Sequence, residues 1–150
     1  MLIAIIIGLV VISVVATLIA LRIKRTRLES LSNNIRSLSS MQVELFGRIM
    51  NFLGRHRQEA RPPAGHIEWV SKELREKAHM LLAEAESQVD SNNKSTLKSL
   101  KDSWYEVEEG LDSAFDSYRQ RAADYNSTLQ TLPASILARL LNYQRQPQLN

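Results

Sequence analysis

Two patterns in this 150-residue sequence have the residue types and spacing that chemistry requires. Glu76 and His79 form a Glu-x-x-His pair, which on a helix puts a carboxylate and an imidazole on one face, the i, i+3 spacing used by helical di-iron sites. Such a site needs two of these pairs and two more inward glutamates, and no second Glu-x-x-His occurs. His56 and Glu59 only reverse the spacing at a helix end, and His66 is the remaining histidine. Against the metal reading stands a plain one, in which His79 is an exposed or hydrogen-bonded side chain on a polar stretch. The second pattern is Asp102, Glu106, Glu108, Glu109, Asp112 and Asp116, a run without a basic residue, where paired carboxylates could do acid-base work. Asp102, Glu109 and Asp116 recur every seven residues, opposite an apolar seam. They read as a solvated acidic stripe or as a surface for a basic partner. The sequence holds no Walker loop, no Gly-x-Gly-x-x-Gly, no Gly-x-Ser-x-Gly and no cysteine, and its five glycines offer little to a phosphate-cradling loop. No cofactor is implied.

The elements that carry these residues begin with an apolar segment. Residues 2–21, LIAIIIGLVVISVVATLIAL, contain no charge. A helix of twenty such residues rises about 30 Å, the hydrocarbon thickness of a bilayer. Nothing basic precedes Leu2 and no cleavage site follows, so the segment reads as a retained single-pass anchor rather than a signal peptide. Arg22, Lys24, Arg25 and Arg27 follow directly. Such charges stay on the cytoplasmic side, which predicts an outside N-terminus, a cytoplasmic C-terminal domain and a cell (inner or plasma) membrane location. The same four residues could also attract anionic lipid. Ala4, Gly8, Ala16 and Ala20 lie on an i+4 row interrupted by Ile12; they are either a surface for helix association or ordinary small residues facing lipid. The net charge is +3, yet from residue 28 onward fifteen Lys and Arg face sixteen Asp and Glu. The basic excess belongs to the stub, which argues against a nucleic-acid binder.

From Leu28 the apolar positions step by threes and fours: Leu28, Leu31, Ile35, Leu38, Gln42, Leu45, Ile49 and Phe52, with only Gln42 polar. That period marks a helix in a coiled-coil-like bundle. No proline precedes Pro62, so this helix can be continuous with the membrane helix, reaching roughly 90 Å if unbroken to Ala60. The Ser- and Asn-rich LSNNIRSLSS offers a place for a hinge. Pro62, Pro63 and Gly65 form the first turn signal. A second helix is predicted along Ile67, Val70, Leu74, Ala78, Leu81, Ala85 and Val89. A loop over residues 90–95 follows, with Asn93 or Ser95 as the next N-cap. The third seam is Leu97, Leu100, Trp104, Val107, Leu111, Ala114, Tyr118, Arg121, Tyr125, Thr128 and Leu132, stopped by Pro133. A short apolar helix with Ile136, Leu137, Leu140 and Leu141 precedes the polar tail. Three helices alternating in direction would put the last helix at the distal end, with Arg139 and Arg145 near Arg55, Arg57 and Arg61 in a basic tip that could dock an acidic partner.

In the third seam Tyr118-Arg119 and Tyr125-Asn126 stand seven apart with Ala122 between, followed by Leu132-Pro133 and Ser135-Ile136-Leu137-Ala138. Over about residues 100–149 this resembles the C-terminal signature of LemA-family proteins, a paired Tyr-Asn heptad, a Phe-Pro stop and an apolar segment. Arg119, Leu132 and Leu149 depart from it, and the family's Leu-Ile-Pro-Asn-Leu motif is only echoed by Leu45-Phe46-Gly47-Arg48-Ile49, which makes the chain a divergent member. The resemblance implies one N-terminal membrane helix, a cytoplasmic antiparallel helical bundle and no established chemistry. Tyr118, Tyr125, Asn126 and Pro133 read as structural, with Asn126 adjacent to the seam and able to bond a neighbouring helix. The expectation is therefore an all-α protein: an anchor at 1–21, a basic stub at 22–27, an antiparallel three-to-four-helix bundle at 28–143 and a polar tail at 144–150. Its predicted role is that of a non-enzymatic scaffold that self-associates or docks a protein partner at the acidic stripe or the basic tip. The alternative is a metal binder or metal-dependent enzyme around Glu76 and His79.

Overall fold

A computed structural model of the chain describes residues 1–54, 67–131 and 134–147. Four α-helices appear, α1 (Leu2–Phe52), α2 (Ile67–Gln88), α3 (Lys94–Thr128) and α4 (Ala134–Leu140), with no strand among the described residues. The expected turn signals Pro62, Pro63 and Gly65, together with Arg55, His56, Arg57, Glu59, Arg61, His66, Leu132, Pro133 and Leu149, lie outside the described residues.

α1 runs unbroken through the Ser- and Asn-rich stretch, so no hinge forms there. It ends eight residues before the expected limit at Ala60, because Gly54 adopts the left-handed backbone conformation at φ +68° and its N–H donates to the Asn51 carbonyl at 3.0 Å. That bond is half of a Schellman cap, and glycine takes the conformation without a Cβ penalty. α4 ends the same way in full. Asn142 stands at φ 54°, its N–H donates to Arg139 O at 3.4 Å, and the Tyr143 N–H donates to Ala138 O at 2.9 Å. The loop expected over 90–95 is shorter. Val89 and Asp90 alone separate α2 from a 3-10 turn at Ser91–Asn93, and α3 starts at Lys94, which leaves Ser95 inside the helix.

The chain forms two compact units, Met1–Ser32 with Phe115–Asn150, and Asn33–Ala114, so that α1 and α3 contribute to both. On α1 the residues Leu21, Leu28, Ile35, Gln42 and Ile49 are all buried, each seven after the last; on α3 so are Leu97, Trp104, Leu111, Tyr118 and Tyr125. Each aliphatic rung of this kind contributes about 1.5–3 kcal/mol by leaving water.

In the unit Asn33–Ala114, Leu38 lies within 3.5 Å of where a Gly110 Cβ would stand. A groove between α1 and α3 runs from Leu38 and Gly110 at one end to Arg48 and Ser103 at the other, which makes the two segments antiparallel. α3 is antiparallel to α2 as well, since Arg75 meets Asp112 while Glu86 meets Lys101. The α1 and α2 segments therefore run parallel, and the expected alternation of three directions does not hold here. Facing two helices, α1 buries a wide stripe of Gln42, Leu45, Phe46, Ile49 and Met50. The Gln42 amide nitrogen donates to Ser71 O at 3.2 Å, while its Oε1 and the buried Trp104 Nε1 have no partner among the described residues.

In the other unit the companion row on α3 changes. Val107 and Ala114 flank the seam on one side, but from Phe115 onward the buried companions are Phe115, Ala122 and Leu129, and Arg121, expected on the seam, is exposed. One residue turns a helix by about 100°, so the buried face rotates where the neighbours of α3 change. There α4 turns Ala134 and Ala138 inward.

Two glycine substitutions with opposite outcomes check this description. Gly110→Ala adds a Cβ at ordinary contact distance from Leu38 inside a helix and is expected to stabilise by about 0.5–1 kcal/mol. Gly54→Ala forces a Cβ into left-handed backbone and is expected to destabilise by about 1–2 kcal/mol. Denaturant titration of the full-length protein in detergent, followed by helical circular dichroism, reads both.

Candidate functional site

The Glu-x-x-His pair does not assemble. Glu76 is exposed, and His79 Nε2 lies 3.2 Å from Glu108 Oε1 across the α2–α3 interface, its ring 5.7 Å from that of Tyr105. Glu108 is the least exposed member of the acidic run, and Arg75 also approaches it, with 2.7 Å between Nε and Oε1, while donating from its other nitrogen to Asp112 at 2.6 Å. Glu108 thus belongs to an Arg75–His79–Asp112 cluster, and Asp102, Glu109 and Asp116 remain exposed. A guanidinium where a metal ion would need its carboxylate opposes cation binding by like-charge repulsion. Among the described residues no group of three or more His, Cys, Asp or Glu could hold a metal ion. Sequence spacing could not reveal this cluster, since its members come from helices 29 to 37 residues apart.

A denser constellation surrounds the basic stub, in the unit Met1–Ser32 with Phe115–Asn150. Lys24 Nζ donates to Thr128 Oγ1 at 2.8 Å and pairs with Asp124 at 3.0 Å. Arg25 pairs with Glu29 at 2.9 Å, and its guanidinium carbon stands 5.5 Å from the centre of the Tyr143 ring. Solvent screens such exposed contacts, so together they orient rather than weld. Arg22 and Arg27 are exposed, with no ion-pair partner among the described residues. The end of α3 and the tail therefore sit beside residues 24 and 25. That corrects the expectation of a distal basic tip for Arg139 and Arg145, and its physical reason is that α3 runs antiparallel to α1 here, which returns its end to the residues just after the apolar run.

Asn126 also differs from expectation, because it binds the tail rather than a helix. Its Nδ2 donates to Gln146 O and its Oδ1 accepts from the Gln146 N–H, both at 3.0 Å. The side-chain amide thereby does what a strand neighbour would do for one residue of extended chain. Tyr118 and Tyr125 are buried on the seam, and burial pushes both phenols above the ordinary tyrosine pKa, Arg25 opposing the shift at Tyr125. Beside them Leu129, Ser135, Ala138, Arg139, Asn142, Tyr143 and Arg145 line an open cleft of about 570 Å³. The asparagine after Leu140-Leu141 was a readable helix stop; nothing in the sequence marked Gln146 as a partner.

An all-helical chain with an exposed apolar N-terminal run and a buried Tyr-Tyr seam defines a class before it defines a protein. The sequence matches the family model of the LemA family over residues 19–150, and the chain belongs to that family. The match reaches well beyond the stretch around residues 100–149 where the motifs are easiest to read. Neither the curated proteins nor the solved structures yield a match.

Replacing Asn126 by Ala removes both bonds to Gln146 and is expected to speed amide hydrogen exchange at Gln146 by roughly one to two orders of magnitude, two bonds being worth about 1–3 kcal/mol. Unchanged protection at Gln146 would show that the tail is held by other contacts.

Proposed function

We propose that this LemA-family protein is a single-pass membrane scaffold, with residues 1–21 as its anchor, 22–27 as its basic stub and 28–143 as a cytoplasmic helical bundle followed by a polar tail. The observation that carries this reading is the first half of α1. It is long and apolar enough to cross a bilayer, and none of its most apolar window is buried. Ile3, Ile5, Ile6, Ile7, Leu9 and Val10 are all more than half exposed. Leaving such a row in water is costly, about 0.8 kcal/mol for each methylene, whereas lipid accepts it. Arg22 and Arg27, exposed just after it, support a cytoplasmic stub and an outside N-terminus by the positive-inside rule.

A scaffold role, through self-association or a docked protein, is favoured over a metal-dependent enzyme by the Arg75 guanidinium beside Glu108 and His79. The exposed carboxylates Asp102, Glu109 and Asp116 are the surface proposed for a basic partner, and the row Ala4, Gly8, Ala16 and Ala20 the surface proposed for association of membrane helices.

Because the chain has no cysteine, a single introduced one reports topology. A cysteine at Met80 should react with a membrane-impermeant maleimide only after the cells are permeabilised, and one placed before Leu2 should react in intact cells; the reverse pattern overturns the orientation. Gly8 has nothing within 4 Å where its Cβ would stand, so Gly8→Ile is expected to leave the monomer intact while reducing the oligomer seen in mild detergent. An oligomer of unchanged size and stability would remove this row from the interface.

A further inference from the structure

α4 is turned the wrong way round for a helix surrounded by water. Its buried positions are the small Ala134 and Ala138 and Leu137 is partly covered, while the other large apolar side chains point away from the protein: Ile136 is 56% exposed, Leu140 76% and the following Leu141 50%. Arg139 shares the outward side, and Arg145 follows in the tail. A water-facing helix would reverse this arrangement, because outward Ile and Leu gain nothing there.

The position of α4 along the chain's own membrane segment says what covers it. Two tethers bracket the helix. Thr128, six residues before its start, accepts from Lys24, and Tyr143, three residues after its end, lies under Arg25. Full burial along α1 begins at Leu21, after the partly covered Thr17, Leu18 and Ala20, while Ile19 and Ile23 on the other side are about half exposed. Lys24 and Arg25 follow Leu21 by three and four residues, about 5–6 Å along the helix axis. The headgroup layer is about 5–8 Å deep on each side of the hydrocarbon, so a seven-residue helix held at this level cannot lie far outside it.

We propose that α4 lies in the cytoplasmic headgroup layer of the membrane, with Ile136, Leu140 and Leu141 in the upper acyl region and Arg139 and Arg145 against anionic headgroups. The proposal rests on the anchor reading above. Interfacial helices bury their apolar side about 5–10 Å into the boundary and keep cationic residues at the phosphates, which matches the composition of this face. Arg22 and Arg27 add positive charge to the same layer and are likewise exposed. A second copy of the chain would have to approach this face through that layer of positive charge, which disfavours it as the occupant.

Full-length protein in vesicles of phosphatidylcholine and phosphatidylglycerol, carrying a fluorophore on a single cysteine, tests this. The variants are Leu140→Cys, Ile136→Cys, Val10→Cys as the anchor control and Met80→Cys as the solvent control. Labels at Leu140 and Ile136 should lose most of their emission to a lipid nitroxide carried near the headgroup, with little loss to aqueous iodide, and the Met80 label should do the reverse. Arg139→Glu with Arg145→Glu should return the Leu140 label toward iodide quenching while leaving the Val10 label unmoved. A Val10 label quenched by lipid beside a Leu140 label quenched only by iodide overturns this proposal and leaves the anchor standing. A Val10 label quenched by iodide overturns the anchor itself. A Leu140 label shielded from both quenchers would mean a protein contact and would also overturn it.

Discussion

Within each unit the packing of α1 against α3 is the contact on which the other features depend, Lys24 meeting Asp124 and Thr128 in one and Leu38 meeting Gly110 in the other. Both helices keep a buried residue at every seventh position, Leu21 to Ile49 on one and Leu97 to Tyr125 on the other. A straight α-helix drifts by about 20° per heptad, so a row that stays buried over several heptads has to be held by a partner with the same repeat. What accompanies this row differs along the chain. Where α2 is present the buried stripe of α1 widens to include Leu45, Phe46 and Met50; where α4 and the tail are present the companion row of α3 shifts to Phe115, Ala122 and Leu129. The width and direction of a buried face thus report how many neighbours a helix has.

The antiparallel seam also decides the surroundings of the basic stub. In sequence, Arg22, Lys24, Arg25 and Arg27 form one cluster with one role. In the fold they divide: Lys24 and Arg25 hold Asp124, Thr128 and Tyr143, and Arg22 and Arg27 remain on the surface. Half of the positive charge that reads as a topology signal is therefore also a clamp on the end of α3.

The helices themselves were legible because their signals are periodic and local. Seams over Leu28–Phe52 and Leu97–Tyr125 follow from spacing alone, and the LemA resemblance could be read from Tyr118, Tyr125 and Asn126. The misses have a common cause, which is that a neighbour made the decision. Arg121 lies on a faultless heptad and is exposed, because the face of α3 turns at Phe115. Glu108 looks like one carboxylate in a solvated run until Arg75 and His79 arrive from α2. Helix direction was the largest miss, since periodicity carries no information about whether two helices run the same way. At Gly54 the helix stops ahead of the two prolines, because a glycine in the left-handed conformation ends it first.

The unpaired atoms at Gln42 and Trp104 bear on a problem that rows of sevens create for themselves. Such rows look nearly the same after a slide of one repeat, so apolar packing alone distinguishes poorly between neighbouring alignments. Leu38 against Gly110 puts Gln42 near the level of Trp104, which brings a buried acceptor and a buried donor to the same part of the unit. A slide of α1 by seven in either direction would carry Gln42 away from Ser71 and strand its amide nitrogen as well, at a cost of about 1–3 kcal/mol. One glutamine in an otherwise apolar row therefore acts like the notch on a key: it adds little to the strength of the fit and makes the shifted fits worse.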